Sequence, residues 1–405
     1  MHIKHDPGFS KNWREIVASF FKLGILSYGG PAIMGLMQAE LQEKRQWVTR
    51  ERFVEGLALV NMLPGAGATQ LGIFLGYARG GWWGGLLAGL CFVLPAFFIM
   101  LSLVTGYAAF GATPLMRGAL YGLGPVVLGI FVVAVYRLGK STMVTLPQVI
   151  IAIAAAAATI YSPLGIATIL LFAGGVGLVL FYSKKLGAIV LAVLLVGFIT
   201  LQFVVVSPLV ATTAAVQGAP HSADIVDIAV FFFKVGALTF GGGLSMIAFI
   251  QEQVVNQFQW LTPQEFMDGL ALGQFTPGPI LMVAAFVGFK VAGFAGAGVG
   301  AVAIFLPSFI LMLAILPIFN RIRKLVWTKA ALKGISPAVI GVLAVSLLQM
   351  APHALPDYFA VAVLLATVSA LLLWRIGAVK LMLTGSILGI LYSRFLALHG
   401  YKTTL

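Results

Sequence analysis

Long apolar runs separated by short polar links set the pattern of this chain. A hydrocarbon core about 30 Å thick needs about 20 apolar residues per helix. Runs on that scale lie near 82–109, 116–136, 146–161, 164–182 and 186–206, then near 293–319, 330–350, 356–374 and 376–397. The opening of each half differs. It holds two shorter apolar arms, broken by SYGGP (27–31) and PGAG (64–67) in the first half and by TFGGG (239–243) and TPGPI (276–280) in the second. Proline lacks a donor and glycine lacks a side chain, so these pairs interrupt helices. Each opening therefore reads as two helical hairpins with broken tips, each returning to its starting side. The fold class is an all-α polytopic membrane protein.

The two halves repeat one another. FFKLGILSYGG (20–30) returns as FFKVGALTFGG (232–242), 212 residues later. One inserted residue then moves the offset to 213, where EGLAL (55–59) meets DGLAL (268–272) and Pro64-Gly65 meets Pro277-Gly278. At 212 again, Gly76, Gly81 and Gly84 meet Gly288, Gly293 and Gly296, and Pro95 meets Pro307. This divides the chain into a first repeat (1–206, with an extra helix near 186–206), an extracytoplasmic linker (207–224) and a second repeat (225–405). Five full spans precede the second repeat, and an odd number turns it upside down.

Charge supports that reading independently. With the N-terminus inside, 19 of the 25 Lys and Arg residues fall on inner segments, four on outer segments, and two, Lys22 and Lys234, within apolar runs. Inner loops carry the excess of basic residues in membrane proteins. The polar link at 38–52 has four basic residues, while its counterpart at 251–265 has none. An inverted repeat with broken helices and intramembrane charge is the pattern of a secondary transporter.

Composition narrows the class further. Hydrophobic residues make up 60% and charged residues 9%, with mean hydropathy +1.05; soluble domains carry about 25% charged residues. The net charge of +13 therefore marks a membrane face, and no nucleic-acid partner is expected. The lone Cys91 excludes a disulfide framework, and the five histidines have no metal-ligand spacing. There is no GxxxxGK[ST] motif and no nucleophile–base arrangement. Neither a cofactor, a metal nor an enzymatic activity is expected. No cleavable signal peptide is expected before the first apolar run.

Candidate chemistry clusters at the breaks. Lys22 and Lys234 recur symmetrically beside them; each is either an anion ligand, a snorkelling side chain or half of an ion pair. Gly29, Gly30 and Pro31, with Gly241, Gly242 and Gly243, leave backbone N–H groups for an oxyanion, and Ser27 and Thr239 add hydroxyls. The alternative is close helix packing by small residues. Pro64, Gly65, Thr276, Pro277 and Gly278 form the second breaks, read as substrate contacts or as bare kinks, with Asn61, Gln274 and Thr69 as neutral polar neighbours. Glu55 and Asp268 are the acids well inside the matched cores. They either bind a coupling proton, as carboxyls in a low dielectric can, or pair with the lysines or with Arg52. Glu40 and Glu252 read as surface residues that cap or pair with loop charges.

FFKLGILSYGGP, the polar link ending in W-V-T and F, LPG, and G-x(4)-G with a later LP resemble the chromate ion transporter family, and FFKVGALTFGGG, QWLTPQEF, TPGP and FLP repeat the resemblance in the second half. It covers both halves and so matches the long, two-domain type. It implies a plasma-membrane exporter of chromate, driven by the electrochemical gradient, that confers resistance by lowering cytoplasmic chromate. Sulfate, a tetrahedral dianion of similar size, is the chemical look-alike. The partners implied are a chromate-like or sulfate-like oxyanion and the bilayer; a homodimer is compatible but specified by no packing motif. A carrier of another anion, or an anion channel, is the alternative reading. The halves depart from one another where Pro31 meets Gly243 and where PGAG meets PGP.

Overall fold

The computed structural model describes residues 9–27, 30–111, 113–162, 164–201, 224–239, 245–318, 326–374 and 376–398. Among these residues every regular element is helical. Gly29, Gly241, Gly242 and Gly243 and nearly all of the 207–224 linker lie outside them.

The first repeat opens with α1 (Phe9–Leu26) and α2 (Gly30–Met37), which passes into a π-helical turn (Gln38–Lys44). Next come α3 (Arg50–Met62) and α4 (Gly67–Phe110), then α5 (Pro114–Thr142), α6 (Leu146–Tyr161), α7 (Ile166–Phe181) and α8 (Lys184–Leu201). The second repeat follows the same order. It has α9 (Ile225–Leu238), α10 (Ser245–Ile250), a π-helical turn (Gln251–Gln257), α11 (Pro263–Phe275), a 3-10 turn (Ile280–Met282) and α12 (Val283–Ile315). It closes with α13 (Val326–Ala354), α14 (Tyr358–Leu373) and α15 (Ala378–Leu398).

The duplication extends to single backbone angles. Gln46 and Gln259 both adopt positive φ, 53° and 54°, and Gly81 and Gly293 do so at 61° and 59°. The glycine pair marks a tight reversal. Residues 67–79 fold back along residues 82–110, so that a Cβ on Gly76 would lie 2.5 Å from the Gly84 carbonyl oxygen. Gly288 stands in the same relation to Gly296, at 2.1 Å. The glycines permit backbone contact between antiparallel limbs. The hairpins expected at the second breaks are present too: Gly56 abuts Phe74 and Gly67 abuts Val60 across the 63–66 tip, and Gly269 abuts Phe286 and Gly273 abuts Val283 in the second repeat.

Among the described residues five helical stretches are long and apolar enough to cross a membrane: Gly67–Phe110, Pro114–Thr142, Ile280–Ile318, Trp327–Ala354 and Ala378–Leu396. Of the nine full-length spans expected, the one near 186–206 runs beyond the described residues, and correction is needed at α6, α7 and α14. Each has 16 residues, about 24 Å at about 1.5 Å per residue, short of the hydrocarbon thickness. Local chemistry sets these ends. α6 stops at Ser162, whose backbone is extended because the following Pro163 disfavours the helical region. α14 starts at Asp357, whose carboxylate accepts from the Ala360 N–H.

The cores interlock. Ile16, Phe20, Phe53, Phe74 and Phe92 of the first repeat bury against one another together with Met312 and Leu313 of α12 and Leu316 just past its end. In the other cluster Ala66, Ala96 and Met100 join Phe232, Phe266 and Phe286. Each repeat thus completes its core with the second limb of the other's α4 or α12, and that exchange brings the breaks together.

Candidate functional site

Two short hydrogen bonds join the breaks of one repeat to those of the other. The Gly65 N–H donates to the Thr239 carbonyl oxygen at 2.7 Å, and the Gly278 N–H donates to the Ser27 carbonyl oxygen at 2.6 Å. Ser27 and Thr239 end α1 and α9; Gly65 and Gly278 lie in the second breaks. The two bonds are the same bond made twice, each crossing between repeats. Both glycines hold positive φ, 126° and 95°, a region that side chains with a Cβ enter only at a cost.

The surroundings are not symmetric. Around Gly65 they are polar. The Ala66 N–H donates to Ser308 Oγ at 2.7 Å, and Gln70 Nε2 donates to the Pro64 carbonyl oxygen at 2.7 Å. Around Gly278 they are apolar: Pro279 replaces Ala66, Ala96 replaces Ser308, and Met282 and Val283 occupy the region matching Gln70. The donor and its acceptor are missing together, so neither is left unpaired. The Thr239 and Thr276 hydroxyls bond back to the Val235 and Leu272 carbonyl oxygens, 2.6 and 2.9 Å away.

Three buried polar atoms beside the first repeat's breaks lack partners. Ser27 Oγ, Thr69 Oγ1 and Gln70 Oε1 make no hydrogen bond among the described residues. All three residues are fully buried. An orphaned buried polar group costs about 1–3 kcal/mol, so each of these atoms calls for a polar partner that the protein itself does not supply. Thr69 and Gln70 belong to the first turn of α4. The Gln70 N–H already reaches the Ala66 carbonyl oxygen, leaving the N–H groups of Gly67, Ala68 and Thr69 without intrahelical acceptors. The positive end of the helix dipole adds to them. Gly30 opens α2, with Pro31 in its first turn. Pro64 and Gln274 are half-buried, Pro277 is buried and Asn61 is exposed.

The lysines are not in the interior. Lys22 and Lys234 are exposed on α1 and α9, and among the ion pairs of the described residues neither lysine is joined to Glu55 or Asp268. Glu55 pairs instead with Arg52 at 3.0 Å, which was the other partner expected for it. Asp268 is buried and accepts from Tyr107 Oη at 2.9 Å and from Gln264 Nε2 at 3.4 Å. Glu40 lies in the polar link and pairs with Arg45 at 3.1 Å and Lys44 at 3.4 Å; the Arg45 guanidinium holds its carboxyl below the usual range. Glu252 accepts from Asn256 and Gln257. Among the described residues no cluster of three metal-ligating side chains occurs.

Several residues were missed by sequence reasoning. Ser308 and Gln70 were legible only as polar residues inside apolar runs whose repeat counterparts are apolar. Tyr107 carried no local signal. Glu15 accepts from Arg79 at 2.8 Å, Arg45 at 3.3 Å and Trp47 at 3.0 Å, tying α1 to the polar link and to the end of the first α4 limb.

Apolar helices too long for a soluble core, broken helices meeting between duplicated units, and buried polar atoms at the breaks define a multi-pass membrane transport protein. The chain belongs to the chromate transporter family: that family's model matches residues 14–180 and 226–390, one match in each repeat. The family is one of transporters and not of enzymes. The chain is 35% identical over 369 residues to a "Probable chromate transport protein" of Synechococcus elongatus, covering 90% of each chain. It is 33% identical over 375 residues to a "Chromate transport protein" of Cupriavidus metallidurans, covering 89% of this chain and 88% of that one. A "Chromate transport protein" of Pseudomonas aeruginosa is 31% identical over 361 residues, covering 84% and 81%. No solved structure matches the chain significantly.

Proposed function

We propose that this protein is a gradient-driven exporter of chromate in the plasma membrane, with its N-terminus in the cytoplasm and its second repeat inverted. The observation that carries the site is the set of unpartnered buried atoms, Ser27 Oγ, Thr69 Oγ1 and Gln70 Oε1, beside the cross-repeat bonds of Gly65 and Gly278. The Ser27 and Thr69 hydroxyls and the free N–H groups at the start of α4 donate to the oxygens of a tetrahedral dianion. Gln70 Oε1 is an acceptor and takes a bridging water. Gly29, Gly30, Gly241, Gly242 and Gly243 supply further backbone donors. Lys22 and Lys234, exposed on matching helices, draw the anion towards the breaks rather than enclosing it.

Export needs no nucleotide. An interior-negative potential favours outward movement of a dianion by about 4.6 kcal/mol per 100 mV. Alternating access comes from rocking one repeat against the other about the two cross-repeat hydrogen bonds. The charge contrast between the links at 38–52 and 251–265 supports the inverted arrangement. Sulfate shares the tetrahedral dianion geometry and competes for the site.

The test is radiolabelled chromate uptake into inside-out vesicles, with and without an imposed gradient and excess sulfate. Saturable, gradient-dependent uptake that sulfate inhibits supports the reading. Uptake that never saturates and ignores coupling makes the protein a channel. No uptake above empty vesicles by folded protein removes chromate as the substrate.

A further inference from the structure

The two repeats treat their matching acids in opposite ways. Glu55, half-exposed on α3, is neutralised by Arg52 at 3.0 Å. At the position matching Arg52 the second repeat carries Glu265, which takes the nearby cation for itself: Lys290 Nζ lies 2.7 Å from Glu265 Oε1. Among the described residues Asp268, which matches Glu55, makes no ion pair, because Lys290 is held by Glu265. It is 7% exposed, and it is held by two neutral donors, Tyr107 Oη at 2.9 Å and Gln264 Nε2 at 3.4 Å.

Tyr107 reaches Asp268 from the far end of α4, so this contact also crosses between repeats. Its ring packs on Phe286, 5.6 Å between centroids, and lies beneath Lys290 Nζ at 5.9 Å. The sequence position matching Tyr107 is Phe319, which has no hydroxyl. The hydroxyl thus serves the repeat with the buried acid. α11 packs against α4, α5, α12, α13, α15 and the turns Gln251–Gln257 and Ile280–Met282, whose one charged residue, Glu252, accepts from Asn256 and Gln257. The titratable and charged groups facing Asp268 are Tyr107 from α4, Lys290 from α12 and Glu265 on α11 itself. Among the described residues, α5, α13 and α15 place no hydrogen-bonding or ion-paired side chain on it.

A buried carboxylate without a cation is costly, and protonation is the usual relief. α11 runs directly from Asp268 into the Thr276–Gly278 break, eight residues on, or about 12 Å along a helix. At that separation and an effective dielectric of about 20, one unit charge alters the binding of another by about tenfold, and a dianion feels more.

We propose that Asp268 is a proton-binding site linked to anion binding at the breaks, so that a proton and the dianion are taken up together. This deepens the functional reading above and rests on it. The carboxylate takes one proton, which removes one negative charge, and the bound state opposite the next opening releases proton and anion. Linkage requires the converse effect, with chromate favouring protonation by the same factor.

The test uses purified full-length protein in weakly buffered detergent, with chromate as the probe, and transport in vesicles across a pH series. Wild-type protein is expected to take up protons when chromate is added and to bind chromate at least ~10-fold more tightly on the acid side of its profile. Asp268→Asn is expected to take up none and to bind chromate with little dependence on pH. Formation of hydrogen chromate affects both proteins alike, so the difference between them isolates the carboxyl. Tyr107→Phe removes only a donor that favours the charged carboxylate, and its profile is expected to move to higher pH. That variant carries the test should Asp268→Asn not accumulate. Asp268→Asn with wild-type proton uptake, or a Tyr107→Phe profile that does not move, overturns the proposal. Wild-type protein that neither binds nor moves chromate at any pH would instead end the functional reading.

Discussion

The Gly65 amide and the Thr239 carbonyl oxygen lie 2.7 Å apart although 174 residues separate them in the chain. Repeat symmetry makes the same contact again between Gly278 and Ser27 at 2.6 Å. Each bond fastens a second break of one repeat to a first break of the other, so neither repeat can present its site alone.

Substituting these glycines tests that pairing. Gly65→Ala places a Cβ at positive φ and 2.4 Å from Ser308 Oγ, while Gly278→Ala meets the Ala96 methyl at 2.9 Å. Each variant is expected to lose about 2 kcal/mol or more of stability, with Gly65→Ala the worse, read as thermal unfolding in detergent. Wild-type melting of Gly65→Ala would show that the break does not hold this conformation.

Ser308 supplies the acceptor for a buried N–H. Ser308→Ala is expected to cost about 1–3 kcal/mol by leaving the Ala66 N–H unpaired. Adding Ala66→Pro removes that donor and copies the Pro279–Ala96 combination of the second repeat. A double-mutant cycle is expected to show recovery of part of the loss. Strictly additive effects would show that the two residues do not interact.

The lysines lie outside the core, so their loss should affect transport and not folding. Lys22→Ala and Lys234→Ala are each expected to weaken chromate transport at equal expression, with melting temperatures unchanged. Full chromate resistance in cells carrying the double variant contradicts a role in drawing the anion to the breaks.

Much of this arrangement was legible from residues alone. The 212- and 213-residue offsets found the duplicated unit, and Pro-Gly pairs found the breaks. Those signals are local: glycine and proline alter the backbone wherever they stand. The buried side of the site was less legible. Ser308 stands 243 residues from Gly65 in the chain, and only the interlocking of α4 with α12 brings it there, while Gln70 turns back on its own break to reach the Pro64 carbonyl oxygen. For Lys22 and Lys234 the sequence left three readings open. An apolar run shows that a helix is greasy, but not which side of it a given lysine takes. The pairing of Tyr107 with Asp268 was also out of reach, because nothing in either segment names the other.

The central claim is that the unpartnered hydroxyls at the breaks serve a ligand and not the fold. The most direct measurement compares Ser27→Ala and Thr69→Ala with wild type in two assays, thermal stability and saturable chromate uptake into inside-out vesicles. The account predicts unchanged or slightly raised stability, because removing an unpaired buried hydroxyl relieves a cost of about 1 kcal/mol or more, together with at least a ~10-fold loss in uptake at low chromate. Wild-type uptake in both variants, or a loss that follows lowered stability, would contradict it.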